Sequence, residues 1–598
     1  MSSTVTLTGA QALVRLLELE GAPAAYGIVG GKLAPLIHAL STSTIPYLGV
    51  RHEASAAIMA AAAYASTGRV ALAFGEMGPG GLNLAAGAGV AFNNHLAALL
   101  VTTNQHRAAA YPHRGMFMDL DTRAVLAPLT RWNATVNDVQ RLPELVRTAL
   151  RHALGGRPGP VHLDIPHDVL NAAGTWTADE FEIAPQRYRA IHGPRPAPEP
   201  LAEALALLRN AKRPLLVAGG GVVQAGADAL LRELAARLSA PVVPTQMALG
   251  VVPTGHASFI GHGGIIAGPA VLDAFERADV VLALGCRFSS WLWDEQGPLV
   301  RRSHALINVN TDAAALGAPA LHSVAIQADA RLCLADLLAG LPEGQHTTEP
   351  DWLPSLKTRR AGYESELVAM AGQRPQADDI RRPPPEGDEQ SNRVTFAHEP
   401  GPVMHPAALA QAIAQALPDD ALAIYDGGHT SFWSNDLTPV HAVRTRFHDP
   451  GMCQLGFGLP YALALQALHP GQLVVNITGD GSFGFSLQEL DTARRYRLAV
   501  VNVIHNNAAW GIIRQGQRKQ FDFELGSSLE GTDYAAIAQG FGCHGEVVHD
   551  AADIRAALAR ARASGLPAVL DCHTRFVPHP AGPAFASMNR FGQVAPMP

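Results

Sequence analysis

Short apolar, β-branched runs alternate along this chain with longer stretches in which apolar residues recur at helical spacing. Ala25 to Gly31, Ile45 to Glu53, Val70 to Asn83, Leu96 to Gln105 and Gly159 to Val169 each read as a buried strand running into a polar or glycine-rich turn. Ala12 to Leu19 and the alanine-rich Ala54 to Ala65 read as the helices between them. The rhythm returns at Arg213 to Gly226, Ala278 to Phe288 and His304 to Asp312. It returns again at Ala421 to Trp433, Leu473 to Thr478 and Leu498 to Ile504. Strands that alternate with helices predict parallel, doubly wound sheets. The expected fold class is therefore α/β with three such domains. They span 1–189, 190–342 and 404–574, with a linker at 343–403 and a tail at 575–598. The linker stretch QRPQADDIRRPPPEGDEQSNR carries proline and charge without periodicity and is expected to be exposed.

Composition narrows the class. At 598 residues, 48% apolar and 16% charged, the chain can bury several cores. A net charge of −7 and the lack of a basic stripe argue against a nucleic-acid partner. Five scattered cysteines form no CxxC pair, which suggests neither a zinc site nor a disulfide frame. The N-terminus has no basic and apolar leader pattern, and no uncharged apolar run is long enough to span a bilayer. A cytoplasmic enzyme without membrane attachment is expected.

Candidate chemistry is densest between Gly479 and Trp510. Gly479-Asp480-Gly481 interrupts one strand, and Asn506-Asn507 ends the next. In a parallel sheet both ends open on the same edge, where α/β sheets bind ligands. Magnesium takes oxygen ligands and is commonly shared between one or two protein groups and substrate phosphates. Asp480 offers a carboxylate and, 27 positions on, Asn507 offers an amide oxygen. The backbone carbonyl of Ala509 offers a third. Gly481 lets the chain approach a diphosphate, and Ser482 can donate to it. The plain alternative is an ordinary strand-helix-strand crossover with a polar turn.

GDG followed by NN resembles the metal-diphosphate signature of thiamine diphosphate (ThDP) enzymes. The similarity is greatest to the branch holding acetolactate synthase, benzaldehyde lyase and 2-hydroxyacyl-CoA lyase, and it extends over nearly the whole chain. It implies ThDP and Mg²⁺ as cofactors. RHEASAAIMAAAAYA resembles the family's glutamate motif. By that likeness Glu53 hydrogen-bonds the coenzyme's aminopyrimidine at N1′ and promotes formation of the thiazolium ylid. Gly30, Gly80 and Asn83 of the glycine turns, and Gly428, His429 and Thr430 after the Ala421 strand, fall where the family contacts the coenzyme. In the GMCQLGFG segment the carbonyl of Cys453 is expected to accept from the 4′-amino group, and Leu455 to bend the coenzyme. Trp510 either lines the substrate cavity or is core.

Two residues depart from the family's pattern. Glu76 stands where several relatives carry a small hydroxyl residue or a histidine, so it is expected to face substrate or to be a strand-end acid. His113 is a candidate substrate donor or general acid, or a surface histidine. The central domain is expected to bind FAD, the ADP part of coenzyme A, or nothing. The tail is a frayed end or an active-site lid. The expected reaction is C–C bond cleavage or ligation on a 2-hydroxyacyl-CoA, a 2-oxo acid or an aldehyde, with the 2-hydroxyacyl-CoA or benzaldehyde lyase type first. Acetolactate synthase with pyruvate comes second, and 2-oxo acid decarboxylase third. A silent homologue is the non-enzyme alternative. The family arrangement implies a homodimer at least, commonly a homotetramer.

Overall fold

The computed structural model describes residues 3–110, 115–294, 297–301, 304–317, 321–344, 346–372, 403–521, 523, 525–529 and 531–580. The chain folds into two compact units. The first holds Met1–His192 with Gly451–Gln472 and Phe485–Val500. The second holds Gly193–Pro450 with Leu473–Gly484 and Val501–Pro598.

The first unit is built on a six-stranded sheet. Its order across the sheet is Tyr47–Gly49, Ala25–Gly27, Leu72–Gly75, Leu99–Asn104, Val161–Pro166, Asn133–Thr135, and every neighbouring pair is parallel. Numbered along the chain, the order is 2-1-3-4-6-5. The apolar runs are strands because they are buried on both faces. Leu72, Ala73 and Phe74 are fully buried, as are Leu99, Leu100 and Val101. The alanine run becomes the helix Glu53–Thr67, which packs closely on the helices Pro79–Asn93 and Gly458–Leu468. Small side chains permit that approach: a Cβ on Gly87 would lie 2.1 Å from the Ala54 carbonyl oxygen.

The second unit carries two sheets. The central one runs Val242–Pro244, Pro214–Ala218, Val280–Leu284, Ala305–Asn310, Val324–Gln327, all parallel. The other runs Arg446–His448, Leu422–Asp426, Val474–Gly479, Val501–Asn506, Ala568–His573, His544–Val548, again all parallel. In chain numbering this is 2-1-3-4-6-5, the order found in the first unit. Three doubly wound parallel sheets are thus the architecture.

The linker is shorter than the sequence suggests. Residues Trp352–Ala371, inside the expected linker, form a 20-residue helix. Trp352, Leu356, Leu367 and Ala371 are buried along one stripe, and the Trp352 indole N–H donates to the Pro214 carbonyl at 2.8 Å. The proline-rich stretch after it lies outside the described residues. Of the tail, the described part is fastened down. The Trp433 indole N–H donates to the Val577 carbonyl at 3.2 Å, and buried His579 reaches Asp436 at 3.2 Å. The remainder, where a lid would be, lies outside the described residues.

Candidate active site

Two sets of strand ends carry the candidate chemistry, one in each unit. In the second unit Gly479 pairs with His505 across adjacent parallel strands, so Asp480 and Asn507 leave the sheet side by side. Asp480 opens a short helix, Asp480–Phe483, and is 3% exposed. Burial pushes its carboxyl up to about 7, against the pull of the backbone N–H groups of Gly481, Ala509 and Ala508. One carboxylate oxygen, Oδ2, is buried with no hydrogen-bond partner, and so is Oδ1 of Asn507. Bare buried oxygens are costly unless something supplies positive charge or protons.

The third expected ligand fits the same picture. Ala508 takes a left-handed conformation, φ +50, uncommon for a residue with a side chain. Beyond it Ala509 bridges Ser528 antiparallel, flanked by bonds from Trp510 N to Ser527 O and from Leu529 N to Ala508 O. In that pairing the Ala509 carbonyl points away from Ser528. A carboxylate oxygen, an amide oxygen and a main-chain carbonyl are the donors a hard divalent cation takes. No cluster of three His, Cys, Asp or Glu able to hold a metal occurs among the described residues. A mixed set of this kind has only one such side chain.

Around the pair, Gly427 to Thr430 follow the neighbouring strand. A Cβ on Gly427 would lie 2.9 Å from Ser482 Oγ, and one on Gly479 would lie 3.4 Å from Thr430 Oγ1. The expected diphosphate groups are therefore brought together. Three of them have structural duties that the sequence did not show. A Cβ on Gly481 would lie 2.5 Å from the Trp510 ring, so this glycine is required by the indole as much as by any ligand. Gly428 is required by Ile512, whose Cδ1 lies 2.0 Å from its would-be Cβ. His429 is buried, which lowers its ring to about 4, so it is neutral near pH 7. Its Nε2 meets Gln515 Oε1 at 2.8 Å and so carries the ring's proton. The side-chain N–H is thus already engaged. What His429 can offer an anion is its backbone N–H, at the start of the helix His429–Leu437.

In the first unit Glu53 is the first residue of its helix and 9% exposed. Asn83 Nδ2 donates to Glu53 Oε2 at 2.9 Å, and a Cβ on Gly80 would lie 3.3 Å from Glu53 Oε1. Three expected residues thus meet at one carboxylate. Glu76 lies over Gly30: its Oε2 is 1.6 Å from where a Cβ on Gly30 would be, and its Oε1 accepts the Lys32 N–H at 3.2 Å. Cys453 takes the left-handed conformation, φ +52, and its side chain is exposed, while Leu455 is half-buried. Both lie in a segment of the first unit anchored by Gly451 N to Asn94 Oδ1 at 2.9 Å. His113 lies outside the described residues.

Sequence reasoning missed Glu489. Its carboxylate is fully buried and accepts the backbone N–H groups of Arg51 and His52, each at 3.1 Å. It also accepts the Thr492 hydroxyl at 2.6 Å. Tyr496, on the same helix, accepts the Gly49 N–H at 2.7 Å. The turn that delivers Glu53 is therefore seated by the helix Glu489–Tyr496. Nothing in local spacing signals a pairing over so long a stretch of chain. Lys32 and Gln105 were also missed: the Lys32 ammonium donates to Gln105 Oε1 at 3.0 Å.

The N-terminal TPP binding domain model of thiamine pyrophosphate enzymes matches residues 7–125, the central domain model 201–337 and the C-terminal TPP binding domain model 426–572. Acetolactate synthase isozyme 1 large subunit of Escherichia coli (strain K12) is 31% identical, over 93% of this chain and 92% of its own. The chain belongs to the thiamine pyrophosphate enzyme family. Other relatives of this enzyme include the acetolactate synthase large subunit of Corynebacterium glutamicum, 29% identical over 94% of this chain and 86% of its own. A probable 2-ketoarginine decarboxylase of Pseudomonas aeruginosa is 30% identical over 91% and 90%. As a ThDP-dependent enzyme, the protein has its coenzyme-binding models on the two sheets that share one strand order, the N-terminal model covering the first four strands of its sheet. No helix among the described residues is long and apolar enough to cross a membrane.

Proposed function

We propose that this enzyme is a ThDP- and Mg²⁺-dependent carboligase of the acetolactate synthase type, with a 2-oxo acid as donor. The observation that carries the cofactor half of this reading is the pair of bare buried oxygens, Asp480 Oδ2 and Asn507 Oδ1, at adjacent strand ends. Relatives named as acetolactate synthases along nearly the full chain support the carboligase half, ahead of the 2-hydroxyacyl-CoA lyase type.

When bound, ThDP supplies a nucleophilic carbon and an electron sink for the charge left by C–C cleavage. The chain's own groups then divide the work. Asp480, Asn507 and the Ala509 carbonyl would hold Mg²⁺. Ser482, Thr430 and the backbone N–H of His429 would hold the diphosphate. Glu53, steadied by Asn83, would hold a proton at N1′ of the aminopyrimidine. The Cys453 carbonyl would accept from the 4′-amino group, and Leu455 would pack against the coenzyme. Trp510, packed on Gly481, backs the metal loop. The proposed working form is a cytoplasmic homodimer or homotetramer, as the family resemblance implies.

The decarboxylase reading stays second, favoured by the 2-ketoarginine decarboxylase relative. Incubating the holoenzyme with pyruvate separates the two. Acetolactate as product supports the carboligase, acetaldehyde the decarboxylase. Turnover of a 2-hydroxyacyl-CoA with none of pyruvate would overturn both.

A further inference from the structure

The first unit's sheet order, 2-1-3-4-6-5, reverses direction between Ala25–Gly27 and Leu72–Gly75. Open α/β sheets bind ligands in the crevice at the carboxyl ends of the strands flanking such a reversal. In the other six-stranded sheet the equivalent crevice holds the Gly427–Thr430 turn and the Asp480 loop. Here it holds Gly30 to Lys32 on one side and Glu76 on the other.

Lys32 breaks a local rule. It lies in the short turn Gly31–Leu33, which continues into the helix Ala34–Ser41, so a cation sits where the helix dipole disfavours one. Glu76 has the opposite character, since its carboxylate caps the same turn by accepting the Lys32 N–H at 3.2 Å. The acid is accounted for by the fold, and the lysine is not. The ammonium is half-buried, and its partners are a neutral amide oxygen, Gln105 Oε1 at 3.0 Å, and the Met77 thioether at 2.9 Å. No carboxylate among the described residues pairs with it. A thioether is a weak acceptor, so the half-buried ammonium keeps donor capacity for a further, stronger partner. Its mount is firm: Gln105 is 7% exposed and its Nε2 donates to the Phe117 carbonyl at 2.7 Å. Residues that violate a local preference without structural compensation concentrate at functional sites.

We propose that Lys32, held by Gln105, is the subsite for a second anionic group, a carboxylate or phosphonate on the side chain of the 2-oxo acid that this enzyme uses. This rests on the 2-oxo acid reading above and adds the substrate's charge to it. A compact ammonium suits such a group as a point charge. A lone carboxylate next to the reacting carbonyl gains nothing from it, because that group must leave as uncharged CO₂.

The test compares 2-oxoglutarate with 2-oxopentanoate, which has a neutral tail, as donors for the holoenzyme and for Lys32→Met. The wild type should favour 2-oxoglutarate in kcat/KM. Lys32→Met should lose about 10- to 100-fold on it, mainly through KM, the range for a hydrogen bond to a charged group. Turnover of 2-oxopentanoate and affinity for ThDP should be unchanged, and Lys32→Arg should restore part of the loss. Equal use of both donors by the wild type overturns the proposal. So does a loss in Lys32→Met shared by both donors, or a fall in its ThDP affinity. An enzyme that turns over pyruvate but neither of these two also overturns it. If bound ThDP does not exchange its C2 proton and no 2-oxo acid is consumed, the underlying reading fails instead.

Discussion

The two six-stranded sheets are the same scaffold with different ends. Both run 2-1-3-4-6-5. Both even carry one buried pair at one register. In the first, Thr102 is opposite Asp164, and Asn104, two residues on, donates to that carboxylate at 2.6 Å. In the second, Ile504 is opposite Asp571, and Asn506, two residues on, donates to it at 3.0 Å. The crevices differ in how far they are satisfied. At the first edge Glu53 is met by Asn83, and Glu76 by a backbone N–H. At the second edge Asp480 Oδ2 and Asn507 Oδ1 have nothing. The edge at Asp480 is left electrostatically incomplete, while the carboxylates of the other edge are held by protein groups. A scaffold can be used twice in one chain, and two bare buried oxygens distinguish the copy at which we propose an ion.

Breaking the incomplete edge should have the largest effect. Asp480→Ala should abolish Mg²⁺-dependent retention of ThDP and lower turnover by about 10³-fold or more, since it removes the carboxylate of the proposed ligand set. Without cofactor the sign reverses. Relieving a buried, half-satisfied carboxylate should raise the melting temperature of the apoprotein. Calorimetric titration with ThDP and Mg²⁺, beside thermal melts of the apo forms, checks both. An apo variant less stable than wild type would mean the edge is already complete without an ion.

At the organised edge the change should be chemical and leave binding intact. Glu53→Gln keeps the shape and the Asn83 contact on one oxygen but removes the acid. Exchange of the coenzyme's C2 proton should slow by about 10²- to 10⁴-fold, the span of general acid–base effects, with ThDP still bound. Glu489→Leu sharpens the contrast. Leucine leaves the N–H groups of Arg51 and His52 unpaired, so the turn that aims Glu53 loosens. Exchange should fall about 10-fold, a cost near that of one buried unpaired donor. Glu489→Gln, which still offers an oxygen, should recover most of it. NMR of proton exchange on bound ThDP measures all three variants.

Much of this was legible in the sequence, for identifiable reasons. Strands buried on both faces write continuous apolar runs, so all three sheets could be read. The spacing from Asp480 to Asn507 is one strand-helix-strand unit, so it was local enough to place both residues at one sheet edge. The Glu53 edge depends on partners from distant stretches. Glu489 is more than four hundred residues from the turn it holds, and Gln105 is 73 residues and three strands from Lys32. Spacing carries no trace of either. The helix Trp352–Ala371 was missed because its apolar residues do not gather on one face: Leu367 is buried while its neighbour Val368 is exposed. Glycines were read for their freedom near a ligand. The structure shows Gly428 and Gly481 making room for Ile512 and Trp510.

The smallest expected effect tests whether the shared Asn–Asp pair has one role in both sheets. Burial raises the Asp164 carboxyl from 3.8 to about 6, despite the Asn104, Thr102 and Thr122 side chains that favour its charged form. A group whose folded value is raised binds its proton more tightly in the folded state. The stability this contributes is fully present below the unfolded value near 3.8, and it is lost as pH rises through about 6. Asp164→Asn has no such proton to lose. Relative to that variant, wild type should therefore lose about 3 kcal/mol at most between pH 4 and pH 7. Any fixed cost of the replacement cancels in the pH dependence. Urea melts of both proteins at four or five pH values give the difference. Parallel curves would mean that Asp164 is ionised throughout, held by its three donors more firmly than burial opposes it. The matched pair at Asp571 would then be the better guide to both.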